Sequence, residues 1–217
     1  SDSFNDTVTL DMTPPGVPLA STVDTYVNGA FTVTATFTDT VTEFVADAVT
    51  VTNATLSAFA GSDTSYQWTV TPTADGTVTV AVAADQCIDV AGNGNTVSNT
   101  LNTTHDATPP TGSVAIDGGS AYTNSLSVTL SLSASDGANG SGAGQMRLSN
   151  DGITWNDWET FAATKPWTLT EGDGSKTVYA QFRDALLNAS GNVTDTIVLD
   201  MTPPGVALTS TSSVVTN

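Results

Sequence analysis

Residues 6–17 read DTVTLDMTPPGV and residues 195–206 read DTIVLDMTPPGV, ten of twelve positions identical at an offset of 189. A segment that recurs at a fixed period is a unit of architecture, so this repeat constrains the chain more than any local propensity. A third partial copy, Asp106-Ala107-Thr108-Pro109-Pro110, lies between the two. The motif Asp-x-Thr-Pro-Pro therefore begins at 11, 106 and 200, with spacings of 95 and 94 residues. One unit takes about 95 residues and a pair of unlike units takes 189. The paired prolines lack an amide donor and hold φ near about −65°, which suits a domain edge and not a central strand.

These spacings predict a definite organisation. Residues 1–10 are expected to be the last strand of a preceding domain, 11–105 a first domain and 106–200 a second domain type. Residues 201–217 are expected to open a further copy of the first type. The chain thus reads as a window on a longer tandem array, with Pro-Pro joints as stiff hinges between its units.

Apolar residues alternate with Thr, Gln or Ala throughout. Phe31-Val33-Ala35-Phe37, Tyr66-Trp68-Val70 and Val78-Val80-Val82 show this in the first unit. Val128-Leu130-Leu132, Val178-Ala180-Phe182 and Ile197-Leu199 show it in the second. A period of two with Thr on the opposite face marks half-buried strands. Ala74-Asp75-Gly76, Asn150-Asp151-Gly152 and Gly172-Asp173-Gly174 read as tight hairpin turns, because Asp and Gly tolerate positive φ. The only helical candidate, Glu43–Asp47, is one turn at most. About seven short strands per 95 residues predict an all-β chain: two tandem immunoglobulin-like β-sandwiches flanked by strand fragments of neighbouring repeats.

Charge narrows the function. There are 22 acidic residues against 4 basic ones, for a net charge of −18, and only Glu43, Glu159 and Glu171 are glutamates. Asp prefers turns, so the negative charge is expected in loops and at domain ends. Such a surface repels phosphate backbones, and Arg147, Lys165, Lys176 and Arg183 form no basic cluster, which excludes nucleic acid as a partner. No apolar run approaches a membrane span, so no membrane insertion is expected in this segment. Cys87 is the only cysteine and reads as a buried core thiol. His105 is the only histidine and reads as a linker residue. No nucleophile elbow, zinc-ligand set or phosphate loop is present, and no enzyme activity is expected.

The stretches NGAFTVTATF, SYQWTVTPTADGTVTVAV and DVAGNGN in the first unit resemble the bacterial Ig-like domains of giant repetitive adhesins and cell-surface proteins. The second unit, with QMRLSNDGITWNDWETF and KTVYAQFRD, resembles another Ig-like module of such arrays. The resemblance implies an extracellular, cell-surface location and a structural role as a stalk or fibre. It implies as partners neighbouring repeats of the same protein, with lateral or head-to-tail self-association. It also implies calcium at the domain joints, since such arrays use Asp in a loop of the Asp-x-Ala-Gly-Asn type near the Thr-Pro-Pro Asp. The groupings it suggests are Asp89 and Asn93 with Asp106, and Asp184 and Asn188 with Asp200, while Asp11 serves the joint with a preceding domain. Asp184-Ala185-Leu186-Leu187-Asn188 departs from that pattern. Turn capping by the same Asp and Asn side chains is the alternative.

Two other readings stay open. Trp155 and Trp158 are candidates for a sugar-stacking platform, which would make the second unit a carbohydrate-binding module; core packing is the alternative. The units are also compatible with accessory domains of a secreted enzyme. N-glycosylation sequons occur at Asn5, Asn53, Asn102, Asn139, Asn188 and Asn192, close to the number expected by chance in a chain this rich in Ser and Thr.

Overall fold

The structure, a computed structural model, describes residues 8–209. The Asn5 sequon, most of the strand expected at 1–10 and the end of the one expected at 201–217 lie outside the described residues. Residues 201–209 carry no strand. Two compact units are present. The first comprises the chain up to Thr111 with 135–144 and 183–190; the second comprises 112–134, 145–182 and 191 onward.

In the first unit the strands are β1 (Leu19–Ser21), β2 (Tyr26–Val27), β3 (Phe31–Thr36), β4 (Val41–Thr42), β5 (Val49–Thr52), β6 (Ala54–Ser62), β7 (Ser65–Pro72), β8 (Gly76–Val82), β9 (Ile88–Asp89) and β10 (Leu101–His105). One sheet runs β1-β3-β7-β6 and the other β2-β10-β8-β5, with a small β4-β9 ladder. Phe31, Val33 and Ala35 of β3, Tyr66, Trp68 and Val70 of β7, and Val78, Val80 and Val82 of β8 all point into one shared core. The alternation read from the sequence is therefore the division between core and solvent. Phe37, Phe44, Phe59, Tyr66 and Trp68 form an aromatic group at one end of that core. The Phe44 ring meets Phe37 and Tyr66 edge-on at 5.0 Å each. The predicted helical turn is a single 3-10 turn at Ala46–Ala48.

The strands after the Pro-Pro joint are β11 (Thr111–Ile116), β12 (Tyr122–Thr123), β13 (Ser127–Ser135), β14 (Gln145–Ser149), β15 (Glu159–Thr160), β16 (Thr164–Thr168), β17 (Gly174–Arg183) and β18 (Val193–Leu199). They form a three-stranded sheet, β11-β13-β16, and a five-stranded sheet, β12-β18-β17-β14-β15. Val128, Leu130 and Leu132 of the first sheet and Met146, Leu148, Val178, Ala180, Phe182 and Ile197 of the second share a separate core. Each set of strands is an Ig-like sandwich with its own interior.

Two of the three turns read as hairpins are something else. Ala74-Asp75-Gly76 joins β7 to β8, and Gly172-Asp173-Gly174 joins β16 to β17. In both cases the two strands belong to different sheets. These turns are arches across the core. Gly76 and Gly174 adopt φ of 124° and 122°, so the glycines serve the backbone reversal that the sequence signalled. Reversal alone does not decide whether the flanking strands pair, because that depends on which apolar faces meet. Asn150-Asp151-Gly152 does lie between paired strands, β14 and β15.

One buried side chain ties the loop before β9 to the segment after it. Asn95 is buried, and its Oδ1 accepts from the amides of Gln86 and Cys87 while its Nδ2 donates to the carbonyls of Ala83 and Thr96. Cys87 beside it is 3 % exposed, and burial pushes its thiol up to about 11, which makes it a core residue and not a nucleophile.

Candidate functional site

The Asp-x-Thr-Pro-Pro segments share one local geometry. In each, the Asp side chain accepts from the Thr amide two residues on: Asp11 from Thr13 at 2.9 Å, Asp106 from Thr108 at 3.3 Å and Asp200 from Thr202 at 3.1 Å. This is an Asx turn, which a short carboxylate makes from sequence alone.

An arch then grips the segment that leaves each sandwich. Asp75 Oδ1 accepts from the Ala107 amide at 2.9 Å, and its Oδ2 accepts from the Thr108 hydroxyl. Asp173 Oδ1 accepts from the Met201 amide at 2.8 Å, and its Oδ2 accepts from the Thr202 hydroxyl. The hydroxyl bond comes first and the amide bond second in holding both carboxyls below the usual range. His105 Nδ1 lies 3.1 Å from Asp75 Oδ1 without hydrogen-bond geometry.

The third part is the Asp-x-x-x-Asn loop. Asp89 accepts from the Asn93 amide and from Asn93 Nδ2, both at 2.8 Å, and Asp184 accepts from the Asn188 amide at 2.8 Å and Asn188 Nδ2 at 2.7 Å. The Asn93 side-chain bond is the main reason the Asp89 carboxyl is lowered. The two loops have one conformation despite different sequences. Gly92 adopts φ of 89° in the first, and Leu187 adopts φ of 69° at the matching place in the second. A leucine in the left-handed region is strained, and the surrounding bonds hold it there.

Both loops dock on the Asp that begins their own repeat. Asn93 Nδ2 donates to the Asp11 carbonyl at 3.2 Å, and Asn188 Nδ2 donates to the Asp106 carbonyl at 3.0 Å. The structure thus brings Asp89 and Asn93 to Asp11, and Asp184 and Asn188 to Asp106, in place of the groupings with Asp106 and Asp200 that the motif resemblance implied. Asp200 accepts from the Thr202 amide and donates its own amide to the Thr123 carbonyl at 3.0 Å, and it belongs to neither carboxylate group among the described residues.

Each docking point gains a third carboxylate that the sequence reading did not single out. Asp11, Asp39 and Asp89 offer oxygens within 4.8 Å of one another, and so do Asp106, Asp136 and Asp184. The second group lies wholly inside the first compact unit, with Asp106 and Asp184 each 1 % exposed. Asp106 Oδ2 accepts from the Ser141 amide at 2.7 Å, and Asp136 Oδ2 accepts from the Gly142 amide at 2.7 Å. Gly140 lets this loop close, since a Cβ there would lie 1.9 Å from the Asp136 carbonyl. Asp136 Oδ1 and Ser141 Oγ are buried without a hydrogen-bond partner. Burial pushes the Asp136 carboxyl up, and the charges of Asp106, Asp184 and Asp75 add to that against the Gly142 amide. An oxygen-only donor set with an orphaned buried carboxylate oxygen fits a hard cation such as calcium, and not zinc or copper, which favour His and Cys.

The remaining sequence candidates are placed as follows. Trp155 and Trp158 are half-buried, and the Arg147 guanidinium lies over both rings, 4.8 and 4.7 Å from their centroids. The guanidinium therefore stacks on both rings. Asn188 Nδ2, the atom that a glycan would modify, is spent on Asp106 and Asp184, and Asn53 Nδ2 is spent on the Ala74 carbonyl. Asn102, Asn139 and Asn192 are exposed.

Comparison with known proteins bears on the first sandwich directly. Residues 11–105 match a family described as the bacterial Ig-like domain. Among solved structures the chain is similar to the fibronectin(III)-like modules of CbhA from Clostridium thermocellum, with 14 % identity over 88 % of this chain and 93 % of that one and a TM-score of 0.37. It is also similar to the human OSCAR ligand-binding domain, at 12 % identity over 86 % and 99 % with a TM-score of 0.35. The D00-D0 domain of intimin gives 13 % identity over 85 % and 99 % with a TM-score of 0.37. No curated protein matches the chain.

Proposed function

We propose, from the match of residues 11–105 to the bacterial Ig-like domain family, that the chain is a structural segment of an extracellular stalk whose joints are stiffened by calcium. The observation that carries this reading is the recurrence of one joint. An Asp-x-Thr-Pro-Pro turn comes every 94 or 95 residues; those at 106 and 200 are gripped by an arch Asp from behind, and those at 11 and 106 are met by an Asp-x-x-x-Asn loop and a third Asp from ahead. A binding or catalytic module has no need to repeat its connection in such detail. A spacer does, because the connection sets its reach. Sandwich strands of eight to ten residues add roughly 30 Å per repeat at about 3.3 Å per residue.

At the joint, calcium would be held by Asp106, Asp136 and Asp184, with Asp11, Asp39 and Asp89 as the corresponding set one repeat earlier. The ion would supply positive charge to carboxylates that otherwise repel one another, and so tie the Asp136 loop to the joint. Asn93 and Asn188 orient the Asp89 and Asp184 carboxylates. Neighbouring repeats of the same protein are the expected partners, head to tail along the array. Small-angle scattering on a chain of four or more repeats tests the reading. A rod whose length grows linearly with repeat number, and which becomes more flexible in chelator, supports it. A compact particle in calcium overturns it.

A further inference from the structure

A second surface on this molecule has the features of a ligand site, and it has no part in the joint. Between β14 and β15 the chain makes a long loop, and a cleft of about 360 Å³ opens there between Trp155 and Trp167. Its polar lining comes from Ser149, Asn150, Asp151, Thr154 and Asn156. The volume falls at the lower end of small-molecule pockets, roughly 300–1,000 Å³.

The walls are fixed before any ligand arrives. Trp167 Nε1 donates to Asn150 Oδ1 at 2.7 Å, and Asn150 Nδ2 donates to the Thr168 carbonyl at 3.0 Å. Asn156 Oδ1 accepts from the Leu148 amide at 2.6 Å. Arg147 covers one face of the Trp155 ring and is itself held by Gln181 Oε1, to which its Nε donates at 2.7 Å. Asp151 Oδ1 gathers the Ser149 hydroxyl at 2.9 Å and the amides of Ile153 and Thr154 at 2.8 and 2.7 Å, which folds the loop tightly. The Thr154 side chain also hydrogen-bonds this exposed carboxylate. The amide bonds, that of Ile153 first, hold this carboxyl at about 2, so it is an anion at neutral pH. Gly152, at φ of 70°, completes the turn where a Cβ would lie 3.0 Å from the Tyr179 ring.

We propose that this cleft binds an uncharged pyranose ring of an oligosaccharide. A pyranose has an apolar C–H face for an indole and hydroxyl donors for a carboxylate and amide oxygens, which are the two kinds of surface present. Rings and acceptors that are already immobile lose little freedom on binding. The ligand carries no charge of either sign: Asp151 at the rim of a chain with net charge −18 repels a sialylated or uronic glycan, and the Arg147 guanidinium already stands over the Trp155 ring, where it opposes a second cation. The activity belongs to the second sandwich alone and does not rest on the calcium joint.

The test is isothermal titration of the full chain, with tryptophan fluorescence, against cellotriose, maltotriose, mannotriose and chitotriose. Sialyllactose and choline serve as the anionic and cationic comparisons. Saturable binding of at least one neutral trisaccharide is expected, tenfold or more tighter than either charged probe. Trp155→Ala is expected to weaken it about tenfold, consistent with loss of a stacked ring. Thr154→Trp, at an exposed position, is expected to block it by filling the cleft. Trp158→Phe, outside the cleft lining, leaves affinity within about twofold on the same footing. The proposal is overturned if no neutral trisaccharide binds, if sialyllactose or choline binds as well, or if Thr154→Trp binds like the parent chain.

Discussion

Asn188 donates its side-chain amide to the carbonyl of Asp106, 82 positions earlier, at 3.0 Å. Asn93 does the same to Asp11 at 3.2 Å across the same separation of 82. Each repeat thereby closes its last loop onto its own first residue. A joint built this way has its strength in the beginning of a repeat, and several measurable consequences follow from how the charges are placed there.

Chelation should destabilise the joint. A cation bound only to the folded state at a hundred times its Kd adds about 2.7 kcal/mol. For a domain of this size each kcal/mol moves Tm by about 4–8 °C, so a rise on the order of 10 °C between chelator and saturating calcium is expected by calorimetry. An identical melting curve in both conditions counts against the calcium joint and leaves the sugar cleft untouched.

Asp136→Asn separates the charge from the shape of the site. In chelator it should raise Tm, because it removes a half-buried carboxylate that faces Asp106 and Asp184. In calcium it should lose most of the increment seen in the parent chain. A variant that melts lower in chelator and keeps its full calcium response contradicts this assignment.

The arches predict an acid release of the linkers. Asp75 and Asp173 have carboxyls lowered below the ordinary value by bonds made only in the folded chain. A lowered carboxyl contributes stability that is complete above its unfolded pKa and is lost as pH falls through the folded one. Hydrogen exchange at the Ala107 and Met201 amides should therefore accelerate, after correction for intrinsic rates, as pH falls below the usual Asp range. Asp75→Ala should show fast exchange at Ala107 at every pH. Equal protection in that variant and the parent chain removes the clamp.

Leu187 offers a gain of stability. It stands at φ of 69° while 62 % exposed, where the first loop has Gly92. Leu187→Gly gives up little burial and relieves backbone strain of about 1–2 kcal/mol, partly offset by the added freedom of glycine in the unfolded chain. A net gain of about 1 kcal/mol or less in urea unfolding is expected. A loss of stability would mean that the loop is held by a contact of the leucine side chain.

Asn95→Ala should be the most damaging of these changes. It strands the amides of Gln86 and Cys87 and the carbonyls of Ala83 and Thr96 in a buried loop. At about 1–3 kcal/mol for each group left dry, with water reaching some, a loss of roughly 3–5 kcal/mol is expected by denaturant unfolding. A change near that of a surface substitution would show that water replaces the amide.

Some of this architecture is local and was readable in the chain. Phe31, Val33 and Ala35, or Val178, Ala180 and Phe182, face inward because successive residues of a strand point to opposite sides, and burial sorts the apolar ones. The Asx turns at Asp11, Asp106 and Asp200 follow from one short side chain and an amide two residues away. Asp39 and Asp136 left no such trace. An Asp in a polar loop looks the same whether it meets solvent or two other carboxylates.

The sequence determined the period of the repeat, the face that each strand buries and the turns at the joints, since each depends on neighbours a few positions apart. Tertiary structure alone decided that Asp75 and Asp173 sit in arches and not hairpins, and that Asp184 meets Asp106 and Asp136. The same holds for Arg147, which lies over Trp155 and Trp158. Those contacts join residues tens of positions or more apart in most cases. Their partners are chosen by which apolar faces can be buried together, and no local pattern encodes that choice.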